Sequence, residues 1–147
     1  MNYVTLSKIV ILCVFFVQPT AHTTIRLLFS AALTNTHYEF RKQQYIDSLT
    51  ILSNYNYKNV YIVESLKKTG PTFFDTYSNN VFYSTANDPH FRNQGTNEAR
   101  TCLQATYYFN FDPEDMIIKL TGRHHFTSDS FIQLVENNQE YDAFVKL

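Results

Sequence analysis

The sequence predicts an α/β fold with a mostly parallel sheet. Short apolar or β-branched runs recur along the chain, and segments with helical periodicity lie between them, an order typical of a parallel sheet covered by helices. Residues 116–120 are apolar at nearly every position, as in a strand that is buried on both faces. The runs that we assign to strands are residues 25–32, 60–64, 81–84 and 116–120.

The first strand ends in small residues at 30–32, and a helix follows it. Thr36 with Glu39 three residues later has the spacing of a capping box, so we expect the helix to begin there and to end near Tyr55. Its apolar stripe contains Tyr45 and Leu49, which we expect to pack on the sheet. A shorter helical pattern lies at residues 73–77, between the second and third strands.

The second long helix is predicted over residues 96–109. Glu98 would lie in its first turn, where the helix dipole favours an acid. The stripe expected to face the sheet comprises Ala99, Cys102, Leu103 and Thr106. After the fourth strand, a third helix is expected to begin at residue 127 or 128, and a further strand to begin at residues 142–145.

The chain has 147 residues, which is enough for one domain with a core, and its amino-terminal segment stands apart from that domain. Residues 9–17 are continuously apolar, but a bilayer-spanning helix needs about 20 such residues. The run fits a signal peptide or a short membrane anchor; a buried segment of the domain is the remaining alternative. We therefore predict a boundary after residue 22, with the domain over residues 23–147. We expect the protein in the secretory pathway or at a membrane, or in the cytoplasm if residues 9–17 are not a signal.

Several function classes are disfavoured by composition and motif content. The net charge is −1 and no block of Lys or Arg occurs, so nucleic-acid binding has no electrostatic basis. Neither a dinucleotide-binding glycine motif nor a phosphate-binding P-loop is present. His124 and His125 would point to opposite faces of an extended segment, which disfavours a shared metal ion.

Polar residues follow each predicted strand, and parallel strands end at the same edge of a sheet, where α/β proteins bind ligands. After the fourth strand come Lys119, Thr121, Gly122 and Arg123. Two cations, a hydroxyl and a glycine that permits close backbone approach suit a phosphate. A turn with two solvated cations is the alternative for this stretch alone. Glu64 ends the second strand as either a general base or a solvated or helix-capping acid.

Four segments taken together resemble glycosyltransferases of the GT-A type, in a group with a Lys-x-Thr/Ser-Gly-Arg strand end. These segments are FSAAL with its following helix, VYIVES, RNQGTNEA and IIKLTGRHHF, and the resemblance covers about residues 25–147. It implies a Rossmann-like three-layer sandwich that binds a nucleotide-sugar donor.

The resemblance also implies positions for the donor. Ser30 and Ala31 would lie near the base and ribose. The loop that contains Asn93, Gly95, Asn97 and Glu98 would lie near the nucleotide or sugar, and Lys119, Thr121, Gly122 and Arg123 would lie where diphosphate and sugar meet.

The Asp-x-Asp motif, which holds a divalent metal in such enzymes, is missing at the strand ends of this sequence. Either Mg²⁺ or Mn²⁺ is bound in another way, or Lys119 and Arg123 hold the diphosphate instead. The expected activity is transfer of a sugar from a nucleotide diphosphate donor to an unknown glycan, lipid or protein acceptor. Membrane association would come through residues 9–17. The alternative is a non-catalytic α/β binding or interaction module, because the acceptor-binding half and its catalytic carboxylate are not visible in the sequence.

Overall fold

The computed structural model describes residues 24–138, apart from Asn56, Lys58 and Arg92. The apolar run at residues 9–17 and the strand expected at residues 142–145 lie outside this part of the chain. In the described ranges, no helix is both long enough and apolar enough to cross a bilayer.

Strands and helices alternate as the sequence predicts. The strands are β1 (Ile25–Ala31), β2 (Val60–Glu64), β3 (Val81–Tyr83) and β4 (Met116–Thr121). The helices are α1 (Tyr38–Asn54), α2 (Gln94–Tyr108) and α3 (Ser130–Glu136), and a short 3₁₀ helix spans Phe73–Thr76. The four strands form one sheet in the order β3-β2-β1-β4, and every pair is parallel.

The direction of winding reverses beside β1. The chain moves from β1 to β2 and then to β3 on one side, and it then crosses to place β4 on the other side of β1. The register pairs Ser30 of β1 with Thr121 of β4 at their carboxyl ends. Ligands of open α/β sheets bind outside such a reversal, so the topology points to the β1–β4 edge.

Helices cover both faces of the sheet, which confirms the three-layer α/β arrangement. The larger core cluster joins α1 and α3 to one face, through side chains such as Leu49, Ile132 and Phe29. The smaller cluster joins α2 to the other face, through Leu28 and Ala105 among others. Neighbouring residues of β1 fall in different clusters because successive side chains of a strand point to opposite faces.

The start of α1 differs from the prediction. Helix α1 begins at Tyr38, and its N-cap is His37 in a left-handed conformation (φ 58°), with no side-chain cap. Thr36 therefore does not form the expected capping box with Glu39. Its carbonyl instead accepts a hydrogen bond from Thr34 Oγ1 at 2.7 Å, which stabilises the turn that enters the helix.

Helix α2 begins earlier than predicted, and only part of the predicted stripe faces the sheet: Cys102 packs against the smaller core cluster. The first residue of the helix is Gln94, because the side chain of Asn93 caps the helix by accepting from the Gly95 N–H. Thr101 and Ala105 are buried, whereas Leu103 of the predicted stripe is 43% exposed. The fully buried positions of this helix are thus small or polar, Thr101 and Ala105, and apolar periodicity alone does not detect them.

Candidate functional site

A cavity of about 440 Å³ opens at the carboxyl edge of the sheet, where β1 and β4 end side by side. Its walls come from the ends of these strands, the loops that follow β1, β2 and β3, and the facing sides of α1 and α2. The lining residues that matter below are Ser30, Arg41, Tyr45, Phe91, Asn97, Glu98, Thr121 and Arg123.

At the β1–β4 edge, four polar residues form one connected group, which we call the Glu98 cluster: Ser30, Glu98, Lys119 and Thr121. Oε1 of Glu98 accepts hydrogen bonds from Ser30 Oγ at 2.5 Å and Thr121 Oγ1 at 3.1 Å, and it lies 2.7 Å from Lys119 Nζ. Lys119 Nζ also donates to Thr121 Oγ1 at 2.8 Å. Three elements, β1, α2 and β4, are thereby tied together at the edge of the cavity.

Glu98 stays ionised because its partners outweigh its burial. Burial alone would raise the pKa of Glu98, but Lys119 and the hydroxyl groups of Ser30 and Thr121 lower it below the ordinary value. The Lys119 side chain is only 10% exposed, whereas that of Glu98 is 35% exposed and lines the cavity. The sequence predicted Lys119 as a direct phosphate ligand; the structure pairs its charge with Glu98 and leaves it out of the cavity wall.

Two arginines supply the positive charge that the cavity presents. Arg123 follows β4 and Arg41 lies in α1, and both line the cavity. Burial raises the pKa of the Tyr45 hydroxyl, and the charges of Arg41 and Arg123 both oppose that rise, so both guanidinium groups act on the same hydroxyl. Within residues 24–138 as described, neither arginine side chain forms a hydrogen bond or an ion pair. Both are therefore available to an anion.

Gly122 has a packing role instead of a direct role in the cavity. It is buried, and its N–H donates to the Ser30 carbonyl at 2.8 Å. A Cβ at this position would lie 2.4 Å from the Phe29 ring and 2.9 Å from the Ser30 oxygen. The close backbone approach that the sequence suggested is thus an approach to β1, and it places Thr121 and Arg123 beside Ser30.

Residues 94–98, part of which was expected as a loop, form the beginning of α2, with Asn93 as its N-cap. Because the helix begins earlier than predicted, Glu98 lies beyond the first turn, although it was expected within it. Asn93 and Gly95 form the exposed helix start and do not line the cavity. Asn97 does line it, and its side chain also holds the preceding loop: its Oδ1 accepts from the Asp88 N–H at 3.0 Å, and its Nδ2 donates to the Asp88 carbonyl at 2.9 Å.

Among the lining residues named above, sequence reasoning missed Arg41, Tyr45 as a wall residue, and Phe91. Arg41 and Tyr45 are four residues apart on α1, so they share a helix face, and this spacing could have identified Arg41. Phe91 is 43% exposed, and the Arg100 guanidinium lies 4.8 Å from its ring centroid. No periodicity marks Phe91, because it lies in an irregular loop.

Glu64 is a structural acid. It is fully buried, and its carboxylate accepts from the backbone N–H groups of Leu33, Leu66 and Lys67 at 2.7–3.1 Å. Burial raises the pKa of Glu64, and these backbone donors oppose the rise. Glu64 joins the end of β2 to the loop after β1, so it is neither a solvated acid nor exposed enough to act as a general base.

The described part of the chain brings together no group of three His, Cys, Asp or Glu residues that could hold an ion. Glu98 is the only acid among the residues that line the described cavity, and its charge is paired with Lys119. These residues do not fit a divalent metal site of the Asp-x-Asp kind.

Comparisons with known proteins give no relative: no protein-family model matches the chain, and neither the curated proteins nor the solved structures contain a significant match.

Proposed function

We propose that this chain is a glycosyltransferase of the GT-A type, which binds a nucleotide-sugar donor in the β1–β4 cavity and transfers the sugar to a glycan, lipid or protein acceptor. The observation that carries the proposal is the presence of two arginines without ion-pair partners, in the described residues, on one cavity at the topological reversal. Arginine forks match the oxygens of a diphosphate in geometry and charge.

The size and walls of the cavity support a nucleotide ligand. About 440 Å³ lies within the usual range for pockets that hold a small organic molecule. Ser30 and Ala31 line the wall at the end of β1, where the resemblance places the base and ribose. The Phe91 ring remains partly exposed although the Arg100 guanidinium lies over it, so it could contact a planar base.

In this proposal, Arg41 and Arg123 stabilise the negative charge that develops on the leaving diphosphate. Lys119 acts indirectly, because its ion pair with Glu98 fixes the orientation of that carboxylate. No step is assigned to a metal. Residues 9–17 would bring the domain to a membrane or into the secretory pathway.

A non-catalytic binding module is the second candidate, and one observation favours it. The cavity walls described here contain no acid other than Glu98, and Lys119 lowers the pKa of Glu98, which makes it a poor general base. Such a module would bind the same donor without turning it over. Release of the nucleotide from the donor over time distinguishes the two candidates, since only an enzyme produces it: UDP or GDP from the diphosphate donors, and CMP from a CMP-sugar.

Calorimetric titration of the full chain with UDP-, GDP- and CMP-sugars tests the proposal. We expect one donor to bind, and we expect Arg123→Ala to weaken that binding by about 1.5–3 kcal/mol, because a charge-assisted contact is lost. Lys68→Ala is the control, since Lys68 is exposed and does not line the cavity. A folded protein that binds none of the donors would refute the proposal, and an unchanged affinity in Arg123→Ala would remove Arg123 from the site.

A further inference from the structure

The hydrogen bonds of Glu98 are distributed unequally between its two oxygens. Oε1 receives all the contacts from Ser30, Thr121 and Lys119. In the part of the chain that the structure describes, no hydrogen bond reaches Oε2. A carboxylate oxygen has two lone pairs to offer, so Glu98 retains acceptor capacity on a side chain that lines the cavity.

The hydroxyl groups of Ser30 and Thr121 add further hydrogen-bond acceptors beside Glu98. Ser30 and Thr121 both direct their protons to Glu98, so their oxygens face a ligand only as acceptors. The positive charge of Lys119 is only 10% exposed and is engaged by Glu98 and Thr121. A phosphate has acceptors only, and it would therefore be repelled here; a group that donates hydrogen bonds would be bound.

Arg41 and Arg123, by contrast, offer a ligand only hydrogen-bond donors, because a guanidinium group has no acceptor. The cavity thus combines acceptors at the Glu98 cluster with donors at the two arginines. A ligand that carries hydroxyl groups at one part and phosphates at another would satisfy both groups of residues.

Building on the proposed function, we infer that Glu98 Oε2 accepts hydrogen bonds from neighbouring hydroxyl groups of the bound donor, while its diphosphate lies against Arg41 and Arg123. Two parts of a nucleotide sugar carry such hydroxyls: the ribose, through its 2′ and 3′ positions, and the transferred sugar. Glu98 would then be a specificity-determining residue that selects hydroxylated ligands over deoxygenated ones.

The test is calorimetric titration of the full chain with matched ligand pairs. UDP-glucose and GDP-mannose are each compared with the counterpart that lacks the ribose 2′ and 3′ hydroxyls and with the counterpart that lacks the 2-hydroxyl of the sugar. For the parent that binds, we expect one deoxy counterpart to bind about 10- to 100-fold more weakly, because a hydrogen bond to a charged group is lost. The affected counterpart identifies whether ribose or sugar is the source of the hydroxyls.

The same titrations with Glu98→Gln should reduce the discrimination to a few-fold, because the carboxylate charge is gone while the side-chain shape remains. Glu114→Gln, an exposed acid outside the cavity, is the matched control and should keep the full discrimination. The comparison of ligands on the unmodified chain needs no variant, so it holds even if Glu98→Gln fails to fold. If a parent donor binds and both of its deoxy counterparts bind with the same affinity as the parent, the assignment of Glu98 is overturned. The proposed function is not affected by that result. If neither parent binds, the matched pairs are made from whichever donor binds among the UDP-, GDP- and CMP-sugars; failure of all of these donors to bind would overturn the proposed function and this assignment with it.

Discussion

At the turn after β4, the backbone of Gly122 lies directly against the Phe29 ring and the Ser30 carbonyl. This contact holds Thr121 at the distance at which its hydroxyl reaches Glu98. The residues that resemble a phosphate-binding motif in sequence therefore have divided tasks. Gly122 packs, Lys119 orients Glu98, and Arg123 faces the cavity.

Gly122→Ala should destabilise the fold by about 1–3 kcal/mol, because the added methyl group overlaps a buried ring and a backbone oxygen that cannot move freely. The free energy of unfolding from urea denaturation measures the effect. Gly95→Ala is the matched control, since its Cβ would meet only the side-chain oxygen of Asn93, at 3.1 Å. Equal stability of the two variants would show that the contact at Gly122 is not restrictive.

Helix α2 is attached to the sheet through a polar residue as well as through its apolar contacts. Glu98 reaches Ser30 of β1 and Lys119 of β4, while Ala105 packs in the smaller core cluster. This attachment explains why the helix turns Thr101 and Ala105 inward and leaves Leu103 largely exposed. The same helix carries Asn97, which holds the loop beside the cavity, so α2 organises much of the candidate site.

The stability that Glu98 contributes should depend on pH. Its pKa is lower in the folded chain than the ordinary value of 4.5, so folding favours the ionised form. The contribution is complete above the unfolded pKa and is lost as the pH falls through the folded pKa. Urea denaturation should show Glu98→Gln less stable than the parent chain at about pH 7, with the difference shrinking towards about pH 3. Glu114→Gln should show a small and nearly constant difference. A difference for Glu98→Gln that does not vary with pH would contradict the assigned ionisation.

At the scale of the whole molecule, the sheet and the layer that contains α1 meet at an aromatic cluster, which includes the cavity-lining residue Tyr45. Phe29 of β1, Tyr45 of α1 and Phe74 of the 3₁₀ helix have ring centroids 5.5–6.4 Å apart. The Tyr45 hydroxyl also donates to the Ala32 carbonyl at 3.2 Å, in the loop that leaves β1. The core and the cavity wall therefore share residues, and a change in one is transmitted to the other.

Phe74→Ala should lower the free energy of unfolding by about 3–5 kcal/mol, because it leaves a void between β1 and α1. That loss is a large fraction of the stability of a domain of this size, which is usually about 5–15 kcal/mol. Thermal and urea unfolding measure it. Tyr107→Ala is the control, since Tyr107 is 76% exposed and its truncation should change stability by about 0.5 kcal/mol or less. A loss below about 1 kcal/mol in Phe74→Ala would mean that the site collapses without a void.

Local pattern was sufficient for the order and type of the elements. Val60–Glu64 and Met116–Thr121 are β-branched or apolar runs of strand length, and the stripe with Tyr45 and Leu49 has helical spacing. These features depend on residues close together in the chain. The start of α1 was predicted less well, because the left-handed backbone of His37 is not encoded by the capping-box spacing.

By itself, the sequence determined the α/β class and the alternation of strands and helices, because hydrophobic periodicity is a local property. It also determined that polar residues gather at one sheet edge, since parallel strands all end at the same edge. Only the tertiary structure decided which of those residues act together. The crossing of the chain from β3 to β4 brings Ser30, Glu98 and Lys119 into contact across 68 and 21 positions of sequence. Lys119 is thereby neutralised by Glu98, and Arg41 and Arg123 come to line the same cavity, because residues distant in sequence act together only where the fold brings them to one place.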